Sequence, residues 1–280
     1  AKLRTYGFDM SSVALIGSYL SNRYQRVKIR STLSSYKKIQ EGVPQGSILG
    51  PILFNFFIND LMFFIHETDV CNFADDTTIY SCSSSYEEAL QLLSKDTHNI
   101  LGWFRINSMV ANPGKFQIMF LGSNIDNDNI TFLIENKFIK CKKEVALLGV
   151  DIDDKLTFDN HIKNLYDKAN NRLRALSRIR EFLTIEQTKY LSEAYIMSSF
   201  KYCPLIWIFC SKTSNDLINN IHKRTLRLTY NMENAEFEDL LIHSKSSTIH
   251  QDNLRTLILE IYKTIHRINP PIMWKFCKSL

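Results

Sequence analysis

The chain has 280 residues, 45% hydrophobic and 22% charged, which fits one large or two ordinary globular domains and excludes a disordered or low-complexity protein. A net charge of +5, from 34 lysines and arginines against 29 acids, excludes a histone-like protein and says nothing by itself about nucleic acid. Six cysteines without a C-x-x-C pair and seven histidines outside zinc spacings argue against a disulfide scaffold or a zinc ribbon, so any metal is expected on carboxylates.

The average conceals a pattern. Residues 1–40 carry +7, 41–160 carry −9, 161–230 carry +7 and 231–280 are neutral. The first element is a predicted helix capped near Asp9 or Ser11, with Val13, Ile16, Tyr19 and Leu20 on its apolar face. Strands are predicted at Tyr24–Arg30 and Tyr36–Val43, joined by a turn at Ser31–Ser35. On the first strand Arg26, Lys28 and Arg30 alternate with Gln25, Val27 and Ile29, a stripe for a nucleic-acid backbone or for solvent.

Ile48–Ile65 is the most apolar stretch, but Asn55, Asn59 and Asp60 interrupt it. It reads as a buried helix beginning near Pro51 rather than a membrane span, and Asp60 reads as a local polar or capping group. Short strands are predicted at Val70–Ala74 and Thr77–Cys82, joined at Asp75-Asp76. A capping box of Ser84 and Glu87 then opens a helix to about Ile106. Further strands are expected at Phe116–Leu121, Ile130–Ile134, Phe138–Cys141 and Val145–Ile152, and helices at 160–181, 184–200 and beyond. The segment from Tyr202 to Cys210, with Trp207 and Phe209, reads as core packing rather than a base-stacking platform. Mixed elements followed by helices alone give an α+β fold with a helical second part.

Two segments carry chemistry. Phe73-Ala74-Asp75-Asp76 places adjacent carboxylates at a tight turn, where they repel unless cations or donors compensate them. Alone, the pair reads as an ordinary Asp-Asp turn. The loop Gly42-Val43-Pro44-Gln45-Gly46-Ser47-Ile48-Leu49-Gly50-Pro51 is stiffened by proline, stripped of side chains at its glycines, and runs into a helix N-terminus. It is neither a Walker loop nor a nucleophile elbow, and alone it reads equally well as a strand-to-helix connection.

Taken in order, these segments resemble the palm of reverse transcriptases, and more narrowly those of non-LTR (LINE-type) retrotransposons. Arg23-Tyr24-Gln25-Arg26-Val27 before the loop, Ile58-Asn59-Asp60-Leu61 after it, Asn112-Pro113-Gly114-Lys115, and Leu148-Gly149-Val150-Asp151-Ile152-Asp153 before Leu156 and His161 agree with the same family. The resemblance implies an incomplete antiparallel polymerase palm with fingers over 1–158 and a helical thumb-like region over 159–280. It implies RNA-directed DNA polymerase chemistry, in which two Mg²⁺ ions help join a dNTP to a primer 3′-hydroxyl on an RNA template.

By the same resemblance Asp75 and Asp76 are metal ligands, and Pro44, Gln45 and Gly46 line the incoming-nucleotide and template pocket. Phe73 replaces a tyrosine, and Lys115 stands near the triphosphate. Arg172, Arg174, Arg178 and Arg180 of the helical part offer contacts for template-primer phosphates or a solvated face.

The family also needs an aspartate in a Phe-Asp segment upstream of a stretch like Lys2-Leu3-Arg4-Thr5-Tyr6-Gly7-Phe8. Asp9 lies on the wrong side of that landmark. The chain, which opens on Ala1, is therefore expected to be a fragment with an incomplete metal site and no polymerase activity of its own. The alternative is a degenerate remnant that at most binds nucleic acid. An intracellular location, nuclear or cytoplasmic, without a membrane partner is expected; protein partners are not indicated.

Overall fold

The computed structural model describes residues 2–121 and 130–274, in two compact units: Ala1–Phe116 with Phe132–Ile139, and Gln117–Thr131 with Lys140–Leu280. The fold is α+β. Its described strands form five two-stranded ladders. No described helix is long and apolar enough to cross a membrane.

In the first unit, a short α1 (Lys2–Thr5) precedes α2 (Met10–Leu20), whose N-cap Asp9 accepts the Ser12 amide. The expected basic hairpin is broken in two. β1 (Arg23–Gln25) pairs with β4 (Lys37–Ile39), and β2 (Lys28–Ile29) with β3 (Thr32–Leu33). The turn falls at Arg30-Ser31, with Arg30 at φ +53, and Thr32-Leu33 are strand rather than turn. Arg26 lies in the break and Arg30 in the turn, so the strand alternation that defined the basic stripe is lost.

Helix α3 (Leu49–Ile58) and a 3₁₀ turn (Asn59–Phe64) replace the expected buried helix. Only Gly50, Ile58 and Leu61 are fully buried there, whereas Ile52 is 50% and Phe63 76% exposed. Burial follows one face, which meets α4 (Tyr86–Ile106) through a cluster of Ile58, Leu61, Ile100 and Trp103. Apolar composition was a poor guide because, among the described residues of this unit, the helix packs through one face only. The cap of α4 is shifted by one: Ser85 accepts the Glu88 amide, and the Ser83 hydroxyl bonds the Glu88 carboxylate, so the Ser84–Glu87 box is replaced.

Phe116–Leu121 is not a strand. The Ile118 carbonyl accepts the Lys142 amide at 2.8 Å, but the described residues of the segment are not in a ladder. β7 (Thr131–Ile134) and β8 (Lys137–Lys140) form a hairpin with Phe132 and Ile134 buried on alternate positions. The expected long strand Val145–Ile152 is instead a second hairpin, β9 (Glu144–Leu147) and β10 (Val150–Asp153). Leu148 and Gly149 both take positive φ, +48 and +83, the requirement of a tight two-residue hairpin turn. Glycine accepts that backbone freely; Leu148 is held there by a hydrogen bond from the Tyr202 hydroxyl to its carbonyl, 2.5 Å.

The second unit is built on α5 (Asp159–Ile179) and α7 (Lys212–Tyr230). Asp153 fixes the start of α5 by accepting the amides of Lys155, Thr157 and Phe158. Ile162, Ala169, Leu173 and Leu176 recur at helical spacing on the buried face of α5 and meet Ile218 and Ile221 of α7. Each fully buried isoleucine contributes roughly 1.5–3 kcal/mol of apolar burial.

Between the two long helices run α6 (Ile185–Leu191), a π turn (Ser192–Ile196) and a 3₁₀ turn (Met197–Lys201), where one helix over 184–200 was expected. α8 (Phe237–Ser244), α9 (Ile249–Ile265) and α10 (Pro271–Trp274) complete the described chain. In the Tyr202–Cys210 segment Trp207 is buried in the core as expected, but Phe209 is 81% exposed. Cys277 lies outside the described residues.

Candidate active site

The carboxylate pair sits on a hairpin of β5 (Asp69–Phe73) and β6 (Asp76–Tyr80), paired from Asp69↔Tyr80 to Phe73↔Asp76. The turn is Ala74-Asp75, one residue earlier than expected, and Asp76 is the first residue of β6. Phe73 and Asp76, directly opposite, project from the same face, and Asp75 extends from the turn beside them. All three are exposed. Neither carboxylate takes a hydrogen bond or ion pair from a described residue. Two unneutralised acids at one tip are held together by backbone geometry alone.

Asn72 and Thr77 supply that geometry. The Thr77 hydroxyl donates across the ladder to Asn72 Oδ1 at 2.7 Å, and Asn72 Nδ2 donates to the Ala74 carbonyl at 3.3 Å. The bond matters because Ala74 is at φ +54, a conformation that costs a residue with a Cβ roughly 1–2 kcal/mol.

The chain entering β5 is fixed by Asp96 of α4, whose side chain is fully buried. Its carboxylate accepts the amides of His66 (3.0 Å), Glu67 (2.8 Å) and Thr68 (2.8 Å), and the Thr68 hydroxyl (2.8 Å). Burial pushes this carboxyl up, but the four donors together outweigh it and hold its pKa below the ordinary carboxylate value. Asp96 was missed in the sequence, although one signal was there: it interrupts the apolar stripe Ala89, Leu93, Ile100 at helical spacing.

Gln45 and Gly46 of the loop are exposed and Pro44 is half-buried; Gly42 and Gly46 both take φ +77. Ser47 acts as a cap: its hydroxyl donates to the Pro44 carbonyl at 2.7 Å and accepts the Gly50 amide at 3.1 Å. That closure leaves no room at Gly50, where a Cβ would meet Ser47 Oγ at 2.8 Å and Pro44 O at 2.9 Å. Lys115 ends a 3₁₀ turn (Pro113–Lys115) capped by Asn112 and is exposed. The structure thus gathers Phe73, Asp75 and Asp76 on one tip and Pro44, Gln45 and Gly46 in one loop. No hydrogen bond or ion pair among the described residues joins tip, loop and Lys115.

Asp60 is committed elsewhere. It accepts Lys2 Nζ at 2.7 Å and Trp103 Nε1 at 3.0 Å, while the Lys2 ammonium lies over the Phe57 and Trp103 rings at 4.4 and 4.6 Å. Of the basic candidates, Arg26 stacks on Tyr36 (4.6 Å), and Lys28 and Arg30 are exposed. Arg172 is bound into the fold through the Tyr195 carbonyl and the Ser199 hydroxyl, and Arg180 through the carbonyls of Leu183, Leu228 and Thr229. Arg174 and Arg178 are exposed and unpaired among the described residues.

Mg²⁺ is a hard cation that takes one or two carboxylates together with water and substrate phosphates. Asp75 and Asp76 are the two carboxylates of the tip that could hold such an ion. No group of three metal-ligating side chains is present among the described residues, so a closed two-ion cage is not formed by them.

A family model described as reverse transcriptase (RNA-dependent DNA polymerase) matches residues 2–152. Among curated proteins, the chain is 24% identical over 272 residues to the probable RNA-directed DNA polymerase from transposon BS of Drosophila melanogaster, covering 93% of this chain and 29% of that protein. It is 25% identical over 224 residues to the RNA-directed DNA polymerase from mobile element jockey of the same species, covering 76% and 24%. To the probable RNA-directed DNA polymerase from transposon X-element, again of that species, it is 23% identical over 271 residues, covering 89% and 27%. The chain therefore spans less than a third of these relatives' length. No solved structure matches. With the family model covering more than half of the chain, and with relatives from non-LTR transposons, the chain belongs to the reverse transcriptase (RNA-dependent DNA polymerase) family.

Proposed function

We propose that the chain is part of an RNA-directed DNA polymerase that extends a DNA primer with dNTPs on an RNA template. The observation that carries this reading is the Asp75–Asp76 tip: two exposed, unpartnered carboxylates on a turn that Asn72, Thr77 and Asp96 hold in place. In this reading residues 1–158 are the partial palm and fingers, and 159–280 the thumb-like part.

Asp75 and Asp76 would hold Mg²⁺, which when bound stabilises negative charge on the transferring phosphoryl group and lowers the pKa of the attacking hydroxyl. The loop at Pro44–Gly46 presents exposed backbone and the Gln45 amide, a donor and an acceptor for a base or sugar edge. Phe73 offers a ring, 65% exposed, against which a sugar or base can rest. Lys115 supplies a cation for triphosphate charge or a proton for the departing pyrophosphate.

Two carboxylates on one tip fall short of the three that the family's metal site uses, so the 280-residue chain alone does not polymerise. Primer extension on a primed RNA template with Mg²⁺ and dNTPs tests this, and extension by the purified chain would overturn it. The ligand assignment is tested separately by Mn²⁺ titration followed by electron paramagnetic resonance. Asp75→Asn and Asp76→Asn should each weaken binding, and unchanged binding in both would remove these residues from the metal site.

A further inference from the structure

Helix α9 reverses the usual arrangement of a surface helix, which turns its apolar face inward. Its inward side carries Ile249, part of the main core cluster, but also the buried polar residues Asn253 and Thr264. Half-buried Glu260 accepts Lys263 Nζ at 2.6 Å and Asn269 Nδ2 at 3.1 Å, and Asn269 Nδ2 also donates to Thr264 Oγ1 at 3.0 Å. The other side holds the apolar residues. Ile258, Leu259, Ile261, Tyr262 and Ile265 are 47–66% exposed.

Leu254, Ile258, Ile261 and Ile265 follow one another at spacings of four, three and four, which aligns them in one stripe along the helix, with Tyr262 beside it. That is the seam one helix presents to another. Apolar side chains exposed singly need no partner, but a continuous stripe does. No described residue covers this one. Its members carry no charge, and Arg255 on its flank is paired with Asp252 at 3.0 Å. An identical stripe can therefore lie against it, isoleucine on isoleucine, without desolvating an unpaired charge. At roughly 100 Å² for each of the five exposed residues, two stripes face to face remove about 1,000–1,200 Å² from water, the lower end of specific interfaces.

We propose that two copies of this chain associate through α9, antiparallel about a two-fold axis near Leu259 and Glu260. Charge selects the direction. Antiparallel packing about the middle of the stripe brings Asp252 of one copy level with the partner's Arg267, whereas parallel packing sets Asp252, Arg255 and Arg267 each level with its own kind. The interface lies outside residues 2–152, which the family model covers, and uses neither the carboxylate tip nor the Pro44–Gly46 loop. It therefore stands whether or not the polymerase reading does.

The test is sedimentation velocity of the full chain over a concentration series. An interface near the lower limit of area should give a reversible monomer–dimer equilibrium with Kd of roughly 1–50 µM. Ile258→Glu combined with Ile265→Glu should weaken it at least about tenfold, because burying these carboxylates without partners is unfavourable. Both positions are exposed in the single chain, so its circular dichroism should not change. Leu15→Glu, at an exposed apolar position on α2, is the control and should shift Kd less than about twofold. Asp252→Lys and Arg267→Glu should each weaken association about threefold, and the two together should restore it. A chain still monomeric at about 100 µM overturns the proposal and leaves the stripe to a helix of another protein. So does a stripe variant that dimerises as the parent does, or an equal loss in Leu15→Glu, which would mark unspecific adhesion. A charge swap no better than its single changes overturns the antiparallel arrangement.

Discussion

Replacing Asp96 by alanine removes the acceptor for four hydrogen bonds in the segment leading into β5. A hydrogen bond to a charged group contributes roughly 1.5–3 kcal/mol, but the four are not additive. His66 and Glu67 are exposed residues, so water can replace the carboxylate at part of the cluster once it is gone. The expected net loss is about 2–4 kcal/mol, a large part of the ~5–15 kcal/mol that stabilises a typical domain. It should be concentrated locally, at the junction between α4 and the hairpin that carries Asp75 and Asp76.

Hydrogen exchange resolved to peptides distinguishes local from global effects. Amides of residues 66–73 should exchange at least about 30-fold faster in Asp96→Ala, the equivalent of ~2 kcal/mol. Those of α5 and α7 should be unchanged. Asp96→Asn, which keeps one acceptor oxygen, should fall between. The acid limb carries a second signature. Because Asp96 titrates below its unfolded value, its contribution is complete above about pH 4 and is lost as pH falls through the depressed folded value. Both variants should flatten that limb. If exchange in 66–73 rises less than about threefold in Asp96→Ala, the carboxylate does not hold the hairpin and the argument from its four bonds fails.

His222 predicts a different pH window. Burial lowers its pKa to about 4, so the unfolded chain binds a proton that the folded chain refuses between that value and about 6.5. Stability should therefore rise with pH by roughly 1.4 kcal/mol per unit across that window and level off above it; His222→Asn should lose that slope, so the difference between parent and variant stabilities should carry it. Ala74→Gly relieves the positive φ at the tip and should stabilise the hairpin by about 0.5–1 kcal/mol in urea titrations, against the extra chain entropy of glycine. A destabilised variant would show that the turn is not strained. Gly50→Ala should cost about 1–3 kcal/mol, and adding Ser47→Ala should recover only part of it, because the Pro44 carbonyl remains 2.9 Å from the new Cβ. Complete recovery would place the whole clash on the serine.

The sequence by itself determined the local features whose causes are local. The Asp9 cap, the hairpin around the acid pair, the helices from about residue 160 and the ordered motifs of the family follow from side-chain chemistry and spacing within a few residues. Even the errors there were small, a one-residue shift at Ala74-Asp75 and at Ser85. The long strand over Val145–Ile152 failed for a readable reason: Leu148 is a poor residue for positive φ, and what holds it there is Tyr202, more than fifty residues away.

Tertiary structure alone decided the partners. It spent Asp60 on Lys2 and Trp103, left Ile52 and Phe63 in solvent, and put a carboxylate in the apolar stripe of α4 to tie down the hairpin. It also turned scattered arginines into two kinds, with Arg172 and Arg180 bound into the fold and Arg174 and Arg178 left in solvent. Helical periodicity gives each side chain a direction, but its energy depends on what stands opposite. For a charged group that difference, between a paired, a buried and a free state, amounts to several kcal/mol.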